Sequence, residues 1–129
     1  QKADLPPPGQ PFLDLAQHRA AFTAFLRHAK LSVAGQLGQK VPPHWASQTA
    51  VLQGFAGFQG PDFVLREDRL AQGLAFVAAE IGLAETPAAP VDRAAADALE
   101  AIWEPAFEDL AEDAWPRDYT GFGFGRWKD

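Results

Sequence analysis

A histidine and a tryptophan that follow a pair of prolines form the first candidate site in this sequence. His44 and Trp45 lie in a stretch whose glycines and prolines predict a loop. A loop histidine can serve as a general base, and an aromatic neighbour can bind a sugar. The alternative is a surface histidine whose tryptophan neighbour packs into the core. Gln48, one helical turn later, can orient His44 or a substrate, although we favour the interpretation that it is a solvated helix residue.

A dense charge cluster forms the second candidate site. A short apolar run, Phe63-Val64-Leu65, predicts a buried strand over Phe63–Arg66, and four charged residues follow the run directly, namely Arg66, Glu67, Asp68 and Arg69. We favour a structural interpretation, in which Asp68 caps the next helix and the acids pair with Arg66 or Arg69. In the functional alternative the strand ends at a cleft, since ligands of open α/β sheets collect at the carboxyl ends of strands. Arg66 would then contact a ligand.

The remaining polar residues predict no metal site. His18 and His28 are ten residues apart and do not share a helical face, and the chain has no cysteine. The acids between 104 and 113 have the spacing of a solvated helix face, without a calcium-loop motif. The glycines of 121–125 neither follow a clear strand nor open a helix, so they are a weak nucleotide motif.

Composition excludes several classes of protein. The 129 residues suit one domain or part of one, and 47% of them are hydrophobic, enough for an ordinary core. The net charge of −6 argues against a nucleic-acid or anionic-membrane partner, because phosphates need a basic face. The chain contains no methionine, so we expect a processed mature chain or a piece of a longer protein. We expect a cytoplasmic location, with export as the alternative.

The hydrophobic pattern predicts a mainly helical chain with one strand. Residues 1–11 are Pro-rich and predict a linker or surface strap, followed by one domain or partial domain over 12–129. Helices are predicted at about 12–30, 46–54, 68–81 and 106–114. A further helix, capped by Asp92, is predicted to carry Leu99 and Ile102. A single buried strand cannot form a sheet alone. The sequence therefore predicts the later part of an α/β fold whose other strands lie elsewhere.

Four segments, in order, resemble the C-terminal half of carbohydrate-type and bacterial sulfotransferases. They are "FTAFLRHA", "HWASQ", "PDFVLREDRLAQGLAFVAAEIGL" and "WPRDYTGFGF", which together span about residues 12–124. The chain departs from the family pattern at Glu67-Asp68, where Phe-Glu is usual, and at Trp115 and Phe124, where tyrosines are usual. The donor-phosphate loops of the family are missing from the chain.

The resemblance implies a P-loop-like α/β fold, of which this chain is the acceptor-side part. It implies transfer of a sulfuryl group from 3′-phosphoadenylyl sulfate (PAPS) to a hydroxyl of a carbohydrate or small metabolite. His44 would be the catalytic base, and Trp45, Gln48 and Arg66 would bind substrate, without a metal. The 129 residues alone should be inactive, because the remainder of the protein would hold the donor.

A non-catalytic helical interaction module, or a subunit of a larger assembly, is the alternative. The Pro-rich N-terminus would then be a docking strap. The aromatic side chains of the tail would be interface anchors; they are Trp115, Phe122, Phe124 and Trp127.

Overall fold

The computed structural model of the protein describes residues 14–85 and 93–127, and in these two ranges it is mainly helical. The predicted α/β class is wrong, because these ranges contain six α-helices and no strand or sheet. The predicted strap at 1–11 and the predicted cap at Asp92 lie outside the described residues. The helices are α1 (Leu15–Val33), α2 (Gln48–Ala56), α3 (Leu70–Glu80), α4 (Arg93–Ile102), α5 (Pro105–Ala114) and α6 (Pro116–Phe122).

The core forms where α1 packs against α5 and α4. Leu26, Ile102 and Phe107 are buried at its centre. Half-buried apolar side chains surround them, namely Phe22, Phe25, Leu99, Leu110, Ala111 and Trp115. Phe22, Phe25 and Leu26 form an apolar stripe at helical spacing on α1, and this stripe faces the core, as a 3.6-residue period requires.

Local signals set several helix ends. The Asp14 side chain accepts a hydrogen bond from the Gln17 backbone N–H at 2.7 Å and caps α1. Pro105 occupies the first turn of α5, where its missing N–H costs nothing. Gly82 has a φ of 72°, and the next amide, of Leu83, bonds back to the Ala78 carbonyl at 2.8 Å. This left-handed glycine stops α3 close to the end predicted from the sequence, residue 81.

The predicted strand at Phe63–Arg66 does not form a sheet. Within the described ranges no backbone hydrogen bond pairs this segment with another, and Phe63 and Val64 are exposed rather than buried. A strand is stable only when a neighbour satisfies its backbone groups, and the described chain offers none. The segment instead lies along α3, where the Leu65 side chain packs so closely on Gly73 that a Cβ there would meet it at 2.9 Å.

Two further elements differ from the sequence prediction. Asp68 does not cap α3: a short 3₁₀ turn at Glu67–Arg69 precedes the helix, and neither helix start has a side-chain cap. The tail, which has no helical period, forms the seven-residue α6 behind Pro116. It ends at Gly123, whose φ of 62° is left-handed.

None of the described helices is both long enough and apolar enough to cross a bilayer.

Candidate functional site

The buried carboxylate of Asp118, in the first turn of α6, joins α6 to the start of α2. Its Oδ1 accepts hydrogen bonds from the Ser47 hydroxyl (2.8 Å) and from the Thr49 amide and hydroxyl (2.8 and 2.6 Å). Its Oδ2 accepts from the Gln48 amide at 2.7 Å. The side chain thus satisfies open N–H groups at the α2 N-terminus, where a negative charge is favoured. Burial alone raises the pKa of Asp118, but these hydrogen bonds outweigh it and lower the pKa below its usual value.

Arg66 joins the segment before α3 to the tail. Its Nη1 donates to the Phe122 and Gly123 carbonyls at 2.9 and 2.8 Å, and its guanidinium lies 4.6 Å from the centre of the Phe124 ring. Its Nε and Nη2 donate to the Asp68 carboxylate at 2.9 and 2.6 Å. This fork raises the pKa of Arg66 and lowers that of Asp68, chiefly through the hydrogen bonds between them. The predicted pairing of Arg66 with an acid of the cluster is confirmed.

Tyr119, beside Asp118, is anchored to α5. Its hydroxyl donates to Glu108 Oε1 at 2.7 Å, and Glu108 Oε2 accepts from the Trp127 amide at 3.2 Å. Burial, together with the Glu108 hydrogen bond and charge, raises the pKa of Tyr119 far above its usual value. Tyr119 therefore stays a neutral donor over the physiological range.

These groups surround an open cavity of about 890 Å³. Gln48 and Arg66, two of the four predicted site residues, line it, whereas His44 and Trp45 do not. Its polar wall includes the basic side chains of Arg69 and Arg126. Its aromatic wall comprises Phe22, Trp103, Phe107, Trp115, Tyr119, Phe124 and Trp127. Three acidic side chains, Asp68, Glu108 and Asp118, line the cavity together with the basic ones, so no single sign of charge prevails there. Hydrogen-bonding groups beside aromatic faces suit a polar ligand with a flat apolar side, such as a sugar.

His44 lies on the surface, in a 3₁₀ turn at Pro43–Trp45. Within the described ranges its ring makes no hydrogen bond, and it meets the Trp45 ring edge to face, with centroids 6.4 Å apart. A substrate hydroxyl can therefore reach the His44 ring from solvent, but no described carboxylate binds this ring and orients it. The His28 ring also contacts Trp45, edge to face, with ring centroids 5.7 Å apart.

Trp45 is half-buried and packs between helices. Its ring meets Phe25 of α1 at 5.3 Å, and its carbonyl accepts a hydrogen bond from the Trp115 indole at 2.9 Å. The packing interpretation of Trp45 therefore matches its observed surroundings. Sequence reasoning missed Asp118 as the centre of this arrangement, because its partners lie about seventy residues earlier in the chain.

The described residues contain no group of three or more histidines, cysteines or acids that could hold a metal ion. Comparisons with protein-family models, curated proteins and solved structures give no match for this chain.

Proposed function

We propose that this chain is the acceptor-side part of a sulfotransferase-like enzyme that sulfates a hydroxyl of a carbohydrate or small metabolite. One observation carries the proposal: the four segments that resemble this family, chosen from sequence alone, form one connected network. Phe25 packs on Trp45, Gln48 bonds to Asp118, and Arg66 bonds to the tail that follows α6. Segments that a family shares for function are expected to meet in space.

In the proposed reaction, the acceptor oxygen forms a bond to the sulfur of PAPS while the bond from that sulfur to the departing adenosine 3′,5′-bisphosphate breaks. This chain's residues act on the acceptor. Gln48 and Arg66 hold one end of the acceptor in the cavity that they line, and His44, which lies outside this cavity in the surface turn Pro43–Trp45, takes the proton from a hydroxyl that projects out of the cavity toward that turn. Trp45 positions His44 through the 3₁₀ turn that contains both residues. The described residues offer no phosphate cradle for PAPS, so donor binding is assigned to the remainder of the protein. We also expect this enzyme to be cytoplasmic and to need no metal.

The test is a sulfuryl-transfer assay on the protein as isolated from its source, with labelled PAPS and a panel of sugars and small alcohols. We expect His44→Ala to lower turnover at least a hundredfold, as loss of a general base does. His28→Ala is the matched control, because it is an exposed histidine that also contacts Trp45. Equal activity of both variants would refute the role of His44.

The same preparation tests whether PAPS binds to the remainder of the protein rather than to this chain. The 129-residue chain alone should neither transfer sulfate nor gain thermal stability from adenosine 3′,5′-bisphosphate, whereas the isolated protein should do both. Transfer by the chain alone would show that the assignment of donor binding is wrong. Absence of transfer and of nucleotide binding in the isolated protein would refute the sulfotransferase proposal.

A second candidate function, a non-catalytic interaction module, is favoured by exposed apolar side chains on α2, α3 and the chain between them. Phe58 is 98% exposed and Phe55 is 65% exposed. Large apolar side chains clustered at a surface mark interaction sites in many proteins. In such a module His44→Ala should leave assembly intact, whereas Trp127→Ala, at 45% exposure, should weaken it. The native mass of the isolated protein and its variants measures both effects.

A further inference from the structure

The segment Asp62–Arg66 has unused backbone groups. In the described part of the chain, no hydrogen bond engages the backbone of Phe63, Val64 or Leu65. Phe63 meets the Phe76 ring of α3 at 5.7 Å and Leu65 packs on Gly73 of α3, while Val64 between them is 50% exposed. This alternation of sides is that of an extended strand. An extended segment with free N–H and C=O groups is a template for another strand.

Further exposed apolar side chains come before this segment in the chain, at the end of α2 and just after it, and follow the segment on α3 and just after it. We use "apolar face" for the exposed residues Phe55, Phe58, Phe63, Val64, Phe76, Ile81 and Leu83. Within the described ranges α3 packs chiefly against the 3₁₀ turn before it, so its outer side is not covered by the α1–α4–α5 core. A strand that paired with Phe63–Leu65 would bring its own apolar neighbours onto this face.

Charge selects the partner strand. If two copies of the segment pair antiparallel about Val64, then Asp62 of each copy lies opposite Arg66 of the other, and Phe63 lies opposite Leu65. Asp62 is exposed and makes no ion pair or hydrogen bond with a described residue, so it is available for this contact. Arg66 already donates four of its five N–H groups to Asp68 and to the tail carbonyls, so Asp62 of the other copy would accept the remaining N–H, on Nη2. Opposite charges on directly opposed residues stabilise a strand pair.

Neighbouring registers lack this match. Pairing about Leu65 would set Asp62 against Asp68 of the second copy, and pairing about Phe63 would set Arg66 against Gly60. Pro61 has no N–H and ends the ladder beyond Asp62. The sequence therefore distinguishes one two-fold register, in which each copy presents the same patch.

We propose that the chain forms a two-fold dimer in which Asp62–Arg66 of each copy pair antiparallel about Val64 and the apolar faces cover one another. The proposal rests on the second candidate function, the interaction module, and names a second copy as its partner. In this register Phe63 and Leu65 exchange backbone hydrogen bonds, and the two Val64 side chains form a close, non-hydrogen-bonded pair.

Cysteine cross-linking tests the register directly, because the chain has no cysteine of its own. In Val64→Cys the two sulfurs would meet across the two-fold axis, where opposed Cβ atoms approach the roughly 3.5–4.5 Å that a disulfide needs. We expect rapid, nearly complete disulfide dimer in a dilute glutathione redox buffer. Leu31→Cys is the control, since it is a similarly exposed apolar position, at 41%, on α1; it should remain largely monomeric.

Sedimentation equilibrium of the wild type, Asp62→Arg and the charge-matched control Asp97→Arg tests the ion pairs. We expect Asp62→Arg to weaken the dimer about tenfold, since two attractive pairs become repulsive, and Asp97→Arg to leave it unchanged. A monomeric wild type, with Val64→Cys cross-linking no faster than Leu31→Cys, would overturn the proposal. A wild-type dimer whose dissociation constant is the same in Asp62→Arg as in Asp97→Arg would place the interface elsewhere and would also overturn the proposal. Neither result would refute the interaction module itself, which is tested separately by the native mass of the isolated protein.

Discussion

The carboxylate of Asp118 holds α2 and α6 together, and its replacement should be costly. It is buried and accepts hydrogen bonds from Ser47, Gln48 and Thr49. In Asp118→Asn an amide N–H₂ replaces one acceptor and faces donors that have no other partner. We expect the free energy of unfolding to fall by about 2–3 kcal/mol, measured by urea denaturation.

A control with the same chemistry is available on α5. Asp113 pairs with Lys30 at 2.7 Å, but both side chains are about half exposed. Exposed pairs contribute roughly 0–1 kcal/mol, so Asp113→Asn should change the unfolding free energy little. An equally small loss in Asp118→Asn would mean that its hydrogen bonds do not hold α2 in place.

The lowered pKa of Asp118 predicts a pH dependence of stability. A carboxyl whose pKa is lower in the folded state adds stability that is complete above its unfolded pKa, about 3.9. That stability is lost as the pH falls through the lower, folded pKa. Urea midpoints measured from about pH 5 downward should therefore decrease, and the decrease should be shallower in Asp118→Asn. Parallel curves for the two proteins would contradict this assignment.

Tyr119 should resist ionisation at alkaline pH. It is the only tyrosine of the chain, so the near-ultraviolet absorbance of tyrosinate reports it alone. Its raised pKa means that the folded protein should form tyrosinate well above pH ~10, while the urea-unfolded chain should do so near ~10. The corresponding stability is present below the unfolded pKa and is lost as the pH rises through the folded one. Glu108→Gln removes the neighbouring charge and should lower the folded pKa; no change would show that Glu108 does not control it.

Among the helices, the contact of α1 with α5 and α4 contributes most of the core. Leu26 is 3% exposed and packs with Ile102 and Phe107, so Leu26→Ala leaves a cavity. We expect a loss of about 3 kcal/mol in urea denaturation. Leu31→Ala, on the exposed side of the same helix, should cost well under ~1 kcal/mol. Similar losses would mean that the core does not lie on this face of α1.

Helices with a long apolar stripe or a clear end signal could be predicted from the sequence, and the others could not. The stripe of α1 and the glycine after α3 gave both elements to within a few residues. In contrast, α6 has seven residues, too few for a period, and depends on Asp118, whose partners are distant in sequence. The apolar run at 63–65 has strand propensity, but a strand forms only with a neighbour, which propensity does not supply.

The candidate site was predictable only in part, for the same reason. Gln48 and Arg66 lie on one cavity, but their meeting depends on contacts between α2, α6 and the tail that no local pattern encodes. His44 and Trp45 are adjacent in sequence yet differ in burial, because the turn directs only Trp45 toward α1. Local patterns indicate which residues can do chemistry; the packing of distant segments decides which of them share a cavity.

Self-association should make the thermal stability of the protein depend on its concentration. A partner that binds only the folded state stabilises it by mass action, so each tenfold rise in total concentration above the dimer dissociation constant adds about 1.4 kcal/mol per dimer, or about 0.7 kcal/mol per chain. For a chain of this size the melting temperature should rise by roughly 2–4 °C per tenfold step. Calorimetry of wild type, Asp62→Arg and Asp97→Arg over a hundredfold concentration range measures the effect. The rise should persist in Asp97→Arg and shrink in Asp62→Arg, because only Asp62 lies in the proposed strand pair. A melting temperature that is constant for all three proteins would mean that the apolar face remains uncovered by a second copy.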